Sequence, residues 1–265
     1  MDNIFKQLFT KDPEKEENGI YYFGNEKDGD YFDKSDFDSW KNGRFYQNWR
    51  NQRILENNAS RYLLDEIIRN HKYVIDLACG PSMGLIPSIK QTDPLFPCLA
   101  SDANPSVLTE WQHYLASEET YNKLDFAQFS VFNMPIKSNS VQAYSSFIGI
   151  SSTRNGENGY ASALSEIHRT LAKDGLFYSI ESEWTDIPTI LVLFEKIKQQ
   201  PWSIFCEKQV SWHERFNING FETVYEEPFE YRSLKAEDNE LGEAAVKFGV
   251  DIGMKFTAYI VRKIG

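Results

Sequence analysis

The run Val74-Ile75-Asp76-Leu77-Ala78-Cys79-Gly80-Pro81-Ser82-Met83-Gly84 holds the residues whose types and spacing best suit a ligand. It reads as a short apolar strand closed by an acid, then a turn of small residues. Ala78, Gly80 and Ser82 allow the backbone to approach a molecule that a bulkier side chain would hold off. Asp76, at the strand end, can orient the turn and attract a cationic group. A dinucleotide fingerprint would require glycine at 78, 80 and 83, and only Gly80 satisfies it. The glycine-lysine ending of a phosphate-binding loop is absent too. Taken alone, the run fits either a ligand-binding turn or a structural Gly-Pro turn.

Groups able to move a proton are scattered. Glu181 and Glu183 end a later strand, and Glu183 is either a base or acceptor anchor, or a surface or N-capping acid. His213, in Ser211-Trp212-His213-Glu214-Arg215, is either an acid–base group or a packing residue. His168 belongs to a helix, and His71 and His113 have no partner pattern. No His, Asp or Glu spacing suggests a metal. The three cysteines, Cys79, Cys98 and Cys206, form no CxxC pair.

Alternating strands and helices must position these groups. The apolar pattern predicts strands at 73–77, 97–101, 126–131, 141–150, 176–181, 222–225 and 255–262. Helices are predicted at 54–68, 83–89, from Pro105, at 161–171, 187–198 and near 240–248, with Gly175 as a left-handed stop for the fourth. Strands joined by helices imply a parallel sheet covered on both faces. The expectation is an α/β, Rossmann-like fold with a mostly parallel, seven-stranded sheet. Ligands bind such sheets at the carboxyl ends of the strands where the order reverses, which puts the 76–84 turn at the site. Residues 1–70 read as an N-terminal helical and aromatic cap with a lead-in helix. Residues 71–265 read as the core, with an acceptor-covering insert around 184–220.

Composition narrows the partners. A chain of 265 residues, 41 % apolar and 15 % aromatic, can bury one substantial core. Its net charge of −11 repels a phosphate backbone and no basic patch reverses it, so nucleic acid is excluded as a partner. No apolar run nears the about 18 residues that a membrane helix needs, so no membrane partner is expected. Charges break the first fifteen residues too early for a signal peptide. An odd, scattered cysteine set fits a reducing compartment. A cytoplasmic monomer or homodimer is expected. The acids of 25–40 fail as a calcium loop, because Gly24 stands where the first ligand belongs.

The turn resembles motif I of class I S-adenosylmethionine-dependent methyltransferases, commonly D-x-G-x-G-x-G, with Ala78 and Ser82 where that family usually has glycine. Asp102 ends the second strand, where the resemblance implies an acid that accepts the cofactor's ribose hydroxyls, with Ala103 bordering the adenine. The alternative for Asp102 is a surface N-cap for the helix at Pro105. Phe129-Ser130-Val131-Phe132-Asn133-Met134-Pro135-Ile136 is similar to the family's G-D-A-x-x-L-P-F stretch. Ser130 replaces the acid that receives the adenine amino group, leaving its hydroxyl or the Val131 backbone to serve. Residues 138–147, ending in Phe147, resemble D-N-S-F-D-x-V-x-S, and 164–177 resemble the E-x-x-R-x-L-K-P-G-G helix and turn. Phe45-Tyr46-Gln47-Asn48-Trp49-Arg50 is either core packing or a lid, with Tyr46 at the cofactor and ring faces toward the sulfonium. Small-molecule methyltransferases, including the nicotinamide and phenylethanolamine N-methyltransferase group, use a lid of this kind.

The resemblance implies a Rossmann-like methyltransferase fold, S-adenosyl-L-methionine as cofactor, and methyl transfer to O, N or C of a small-molecule acceptor. The acceptor pocket would be roofed by residues 1–52 and 184–220. The histidine that related quinone-type enzymes carry after strand four is absent, replaced by Ser151-Ser152-Thr153-Arg154. Two other readings stand beside this one: a catalytically silent protein that keeps the fold, and an NAD(P)-dependent oxidoreductase on a similar sheet.

Overall fold

A computed structural model describes residues 3–24, 53–115, 122–153, 159–202, 205 and 210–265. The described strands are β1 (Lys15–Glu17), β2 (Ile20–Tyr22), β3 (Val74–Asp76), β4 (Cys98–Asp102), β5 (Leu124–Gln128), β6 (Val141–Phe147), β7 (Leu171–Trp184), β8 (Phe221–Ser233) and β9 (Gly253–Lys263). They form one sheet in the order β1-β2-β5-β4-β3-β6-β7-β9-β8. From β2 through β7 all neighbours are parallel, whereas β9 runs antiparallel to both β7 and β8. All seven strands expected from the pattern are present, and the sheet has nine rather than seven.

The two extra strands are an N-terminal hairpin. Asn18 and Gly19 both take left-handed backbone, at φ 51° and 76°, as a tight two-residue turn demands. The turn delivers Ile20, Tyr21 and Tyr22, all buried, alongside β5. Lys15, Glu16 and Glu17 are left exposed on the outer edge, where charge blunts strand-to-strand aggregation. With all three residues of its outer strand charged, the hairpin offers no apolar alternation to reveal it.

Helices cover both faces. The described ones are α1 (Asn3–Lys6), α2 (Arg53–Glu56), α3 (Asn58–Asn70), α4 (Ile86–Thr92), α5 (Pro105–Leu115), α6 (Gly149–Ser152), α7 (Gly159–Thr170), α8 (Ile187–Lys196), α9 (Trp212–Ile218) and α10 (Glu240–Phe248). On one face Leu63 and Ile67 of α3, Ile86 and Ile89 of α4 and Trp111 of α5 pack with Val74, Ala100 and Ile180 of the sheet. On the other, Leu164 and Ile167 of α7 and Phe216 of α9 pack with Ile75, Tyr144 and Phe177. A third cluster joins α8 to α10 through Ile190, Phe194, Leu241 and Ala245.

Several element ends differ from the pattern for identifiable reasons. The lead-in helix is interrupted at Asn57, whose extended backbone and side-chain oxygen cap α3 by accepting from Ala59 and Ser60. The helix after the 76–84 turn starts at Ile86 rather than Met83, because Met83 and Gly84 are left-handed, at φ 55° and 57°. β6 stops at Phe147 because Ile148 is left-handed, at φ 61°. After α7 the left-handed residue is Asp174, not Gly175. Gly175 is required for a different reason: a Cβ there would lie 2.9 Å from the Ala172 carbonyl.

One ion pair fixes the segment between β5 and β6. Arg169 on α7 forks onto Glu166, at 2.7 Å from both Nε and Nη2, and donates to the carbonyls of Met134 and Ile136 at 2.9 Å. Glu166 accepts from the Met134 amide at 2.9 Å and sits below the usual carboxylate range, held there by Arg169 and that amide against the cost of burial. A planar fork does this and a lysine cannot. Arg169→Leu is expected to lower unfolding free energy in urea by about 2–3 kcal/mol, the scale for hydrogen bonds to a charged group, with Arg169→Lys recovering only part.

Candidate functional site

The sheet order reverses between β3 and its two neighbours, β4 and β6, and the carboxyl ends of these strands converge there. The turn after β3 is unusual in its backbone. Ala78, Gly80, Met83 and Gly84 all have φ between 49° and 57°. For the two non-glycine residues the left-handed conformation costs roughly 1–2 kcal/mol each. Such strain is found where a site over-determines the chain.

The same turn alternates in burial. Cys79, Pro81 and Met83 point into the protein, whereas Ala78, Gly80 and Ser82 are half-exposed on one side. A Cβ built at Gly80 would meet nothing within 4 Å, so this backbone borders open space. Gly80 donates its amide to Asp102 at 2.8 Å, which ties the turn to the end of β4. Asp102 also accepts from the Asn104 amide at 2.8 Å, and Asn104 in turn accepts from Ser106, making it the helix cap that Asp102 was weighed for. Burial pushes the Asp102 carboxyl up, opposed by the Asn104, Gly80 and Ala103 amides. A carboxylate offers about four acceptor positions, so capacity beyond these amides is left.

Asp76 lies beneath the turn. It is fully buried; Oδ2 accepts from Ser145 at 2.6 Å and from the Leu85 amide at 3.2 Å, and Oδ1 has no partner. A Cβ at Gly84 would sit 1.9 Å from Oδ1, so glycine is the only residue that fits there. Burial pushes the Asp76 carboxyl up to about 7, against the pull of the Ser145 hydroxyl and Leu85 amide. Asp76 therefore shapes the turn from behind and does not face the open side.

The other sequence candidates divide. Ala103 and Ser130 are half-exposed at the ends of β4 and β5, and Ser130 Oγ accepts from the Phe132 amide at 3.2 Å. Val131 is buried. Phe147 ends β6 half-exposed, with its ring edge-on to Phe229. Glu183 is engaged on both oxygens, by the Trp212 amide at 2.5 Å and by Lys255 at 2.9 Å. His213 is exposed and pairs with Glu226 at 2.7 Å. Tyr46, the rest of the 45–50 run, Arg154 and the acids of 25–40 lie outside the described residues.

Sequence reasoning missed four residues that build the floor. Gln128 donates to the Ala103 carbonyl at 3.0 Å and accepts from Gly24 at 3.3 Å. Ser145 holds Asp76. Gly149 lies so close to the turn that a Cβ would be 2.7 Å from the Ala78 carbonyl and 2.8 Å from that of Leu77. Ser151 on α6 donates its amide to Glu181 at 2.9 Å. Gly149 was hidden inside the strand expected at 141–150, and Ser151 stood out only as the residue just after it.

The fold matches solved structures. A protein of Bacillus halodurans assigned as a methyltransferase aligns over 78 % of this chain and 99 % of its own, at 16 % identity and a TM-score of 0.55. SpnF, a (4+2)-cyclase, aligns over 77 % and 80 %, at 13 % identity and a TM-score of 0.52. Geranyl diphosphate C-methyltransferase from Streptomyces coelicolor, in complex with magnesium, a substrate analogue and S-adenosyl-L-homocysteine, aligns over 77 % and 74 %, at 11 % identity and a TM-score of 0.50. No protein-family model matches the chain, and no curated protein matches it significantly. The architecture is that of the class I, Rossmann-like methyltransferases.

The packing of Gly84 on Asp76 gives a direct test. Gly84→Ala adds an overpacking cost of about 1–3 kcal/mol to a left-handed backbone cost of roughly 1–2 kcal/mol. Gly249, left-handed at φ 65° with nothing within 4 Å of its Cβ position, supplies the control. Thermal or urea unfolding should show the Gly84→Ala loss to exceed that of Gly249→Ala by at least about 1 kcal/mol. Equal losses would mean that Asp76 does not fill the space behind the turn.

Proposed function

We propose that this protein is a methyltransferase that binds S-adenosyl-L-methionine across the carboxyl ends of β3, β4 and β6 and methylates a small molecule. The observation that carries the reading is the half-exposed face of Ala78, Gly80 and Ser82, bordered by open space at Gly80 and tied to Asp102. The residues present fit the group. A missing Cβ leaves room for close approach, and Asp102 keeps acceptor capacity for a vicinal diol. Ala103 and Ser130 flank that position, and the S-adenosyl-L-homocysteine held by the geranyl diphosphate enzyme on the same fold supports the choice of ligand.

When bound, the cofactor supplies a methyl group on a sulfonium, which leaves readily as a thioether. The chain's own work is to hold and align two reactants and keep water out. Gly80 and Ala78 present backbone to the cleft. Asp102 anchors one end, and Phe147 borders the other with an aromatic ring whose face attracts cations. A general base is not demanded by this chemistry, in keeping with the engagement of Glu183 by Lys255 and of His213 by Glu226. The net charge of −11 favours a small molecule over nucleic acid as acceptor. Among the described residues no helix is long and apolar enough to cross a membrane. The described residues 3–24, 184–202 and 210–220 are the proposed roof over the acceptor, in a cytoplasmic monomer or homodimer.

A second reading has support of its own. Ala78, Ser82 and Ser130 depart from the usual methyltransferase residues, and a cyclase shares the fold. The site would then bind the cofactor without methyl transfer. Calorimetry with S-adenosylhomocysteine, followed by turnover across a metabolite panel, separates the two. Gly80→Val and Asp102→Ala are each expected to cut S-adenosylhomocysteine affinity at least about tenfold, roughly 1.4 kcal/mol. Unchanged affinity in both folded variants, or preferential NAD(P) binding by the parent protein, would overturn the proposal.

A further inference from the structure

Glu181 is the most deeply buried acid on the carboxyl side of the sheet that the cleft does not use. It lies on β7, is 0 % exposed, and accepts from the Ser151 amide at 2.9 Å through Oε2. Its other oxygen, Oε1, has no partner. Two more orphaned hydroxyls, Ser146 and Ser179, are buried on the same side of the sheet. They are register partners on adjacent parallel strands, and Ser179 is two residues from Glu181, so all three groups share one face.

What Glu181 grips is the turn next to the cleft. Ser151 belongs to α6, whose first residue is Gly149. Gly149 abuts the carbonyls of Ala78 and Leu77 and the Ser146 hydroxyl, at 2.7, 2.8 and 2.5 Å from its would-be Cβ. Ser151 Oγ also reaches Ile148 O and Ser182 Oγ at 3.2 Å each, binding α6 to the ends of both β6 and β7. A displacement of α6 would move the backbone on which Ala78 stands.

We propose that Glu181 is a positioning residue of the cleft: through the Ser151 amide it fixes the turn Gly149–Ser152, and through that turn the backbone at Leu77 and Ala78. This rests on the cofactor reading for its effect on binding, but not for its effect on the turn.

The form of Glu181 that best fits its surroundings is the uncharged acid. Burial pushes its carboxyl up to about 8, with the Ser151 amide pulling the other way. A proton on Oε1 can be donated to a serine hydroxyl, which would give the orphaned atoms partners at once. Groups that face it from neighbouring elements do not offset this. Thr257 on β9 is neutral, Tyr259 on β9 has its own hydroxyl pushed up by burial, and β6 and α6 contribute Ser146 and Ser151. Glu183, two residues along β7, is paired with Lys255. A folded-state value above the ordinary carboxylate value of 4.5 means that the stabilisation is full below about 4.5 and is lost as pH rises through about 8.

The test compares the wild-type chain with Glu181→Gln, which keeps the shape and the neutral donor, and with Glu181→Ala. S-adenosylhomocysteine affinity by calorimetry should fall between pH 6.5 and 9 about tenfold further in the wild type than in Glu181→Gln, which keeps only the pH response of Asp76, and be weak at every pH in Glu181→Ala. Hydrogen exchange at pH 7 should be at least about tenfold faster at the Ser151 amide in Glu181→Ala than in the wild type, with Glu181→Gln restoring protection. A Glu181→Ala chain that binds and exchanges like the wild type, or a Glu181→Gln chain with the wild-type pH fall, overturns the proposal. A wild-type chain that binds no S-adenosylhomocysteine counts against the cofactor reading instead, and the exchange experiment then decides on Glu181 by itself.

Discussion

A single buried carboxyl sets the shape of the cleft. Asp76 sits where β3 ends, and its Oδ2 takes the Ser145 hydroxyl from β6 and the Leu85 amide just before α4. The main chain between Asp76 and Leu85 has to come back over that carboxyl, and four left-handed residues accomplish it. Gly84 closes the loop at a distance no side chain tolerates. The strained backbone is thereby held from below by a bond network, and the face it turns outward has almost no side chains on it.

Most of the architecture was legible because it rests on periodicity. Seven strands and the helices between them follow from apolar spacing. The hairpin at Asn18-Gly19 went unpredicted, since its one signal is turn chemistry, a pair that fills two left-handed positions readily. The cleft was half legible. Ala78, Gly80, Ser82 and Asp102 can be picked out because small size and acidity at strand ends have few other uses. Gln128, Ser145 and Ser151 could not be, because each acts through a bond to an element distant in sequence: Asp76 and Ser145 are 69 residues apart, and Ser151 and Glu181 are 30. Glu181 is legible as an acid near a strand end, but its hold on Ser151 is not. Glu183, open in the sequence between a base and a capping acid, takes the Trp212 amide at the start of a helix and Lys255.

Asp76 and Glu181 solve the same physical problem in the same way. Each is fully buried, each has one oxygen on a backbone amide, and each leaves the other oxygen without a partner. An ionised carboxylate in that setting would carry an uncompensated charge and an unmet acceptor, at a cost of several kcal/mol. A proton removes the charge and turns the orphaned oxygen into a donor. That is why burial outweighs the local hydrogen bonds at both residues, bringing them to about 7 and about 8. The −11 formal charge of this chain thus counts two buried acids whose carboxyls burial pushes up.

Fold likeness does not settle chemistry, since one neighbour here is a methyltransferase and another a cyclase. The cleft constrains it further. On the proposed reading, close backbone approach at Gly80 and a paired-hydroxyl anchor at Asp102 select a nucleoside. Toward β6, Phe147 and Ile148 are half-exposed and carry no charge. An apolar wall beside the reacting end disfavours water and leaves the second reactant to be chosen by shape. On that reading specificity resides in what covers β6 and β7, and the ends of β3 and β4 hold what the cleft's ligands share.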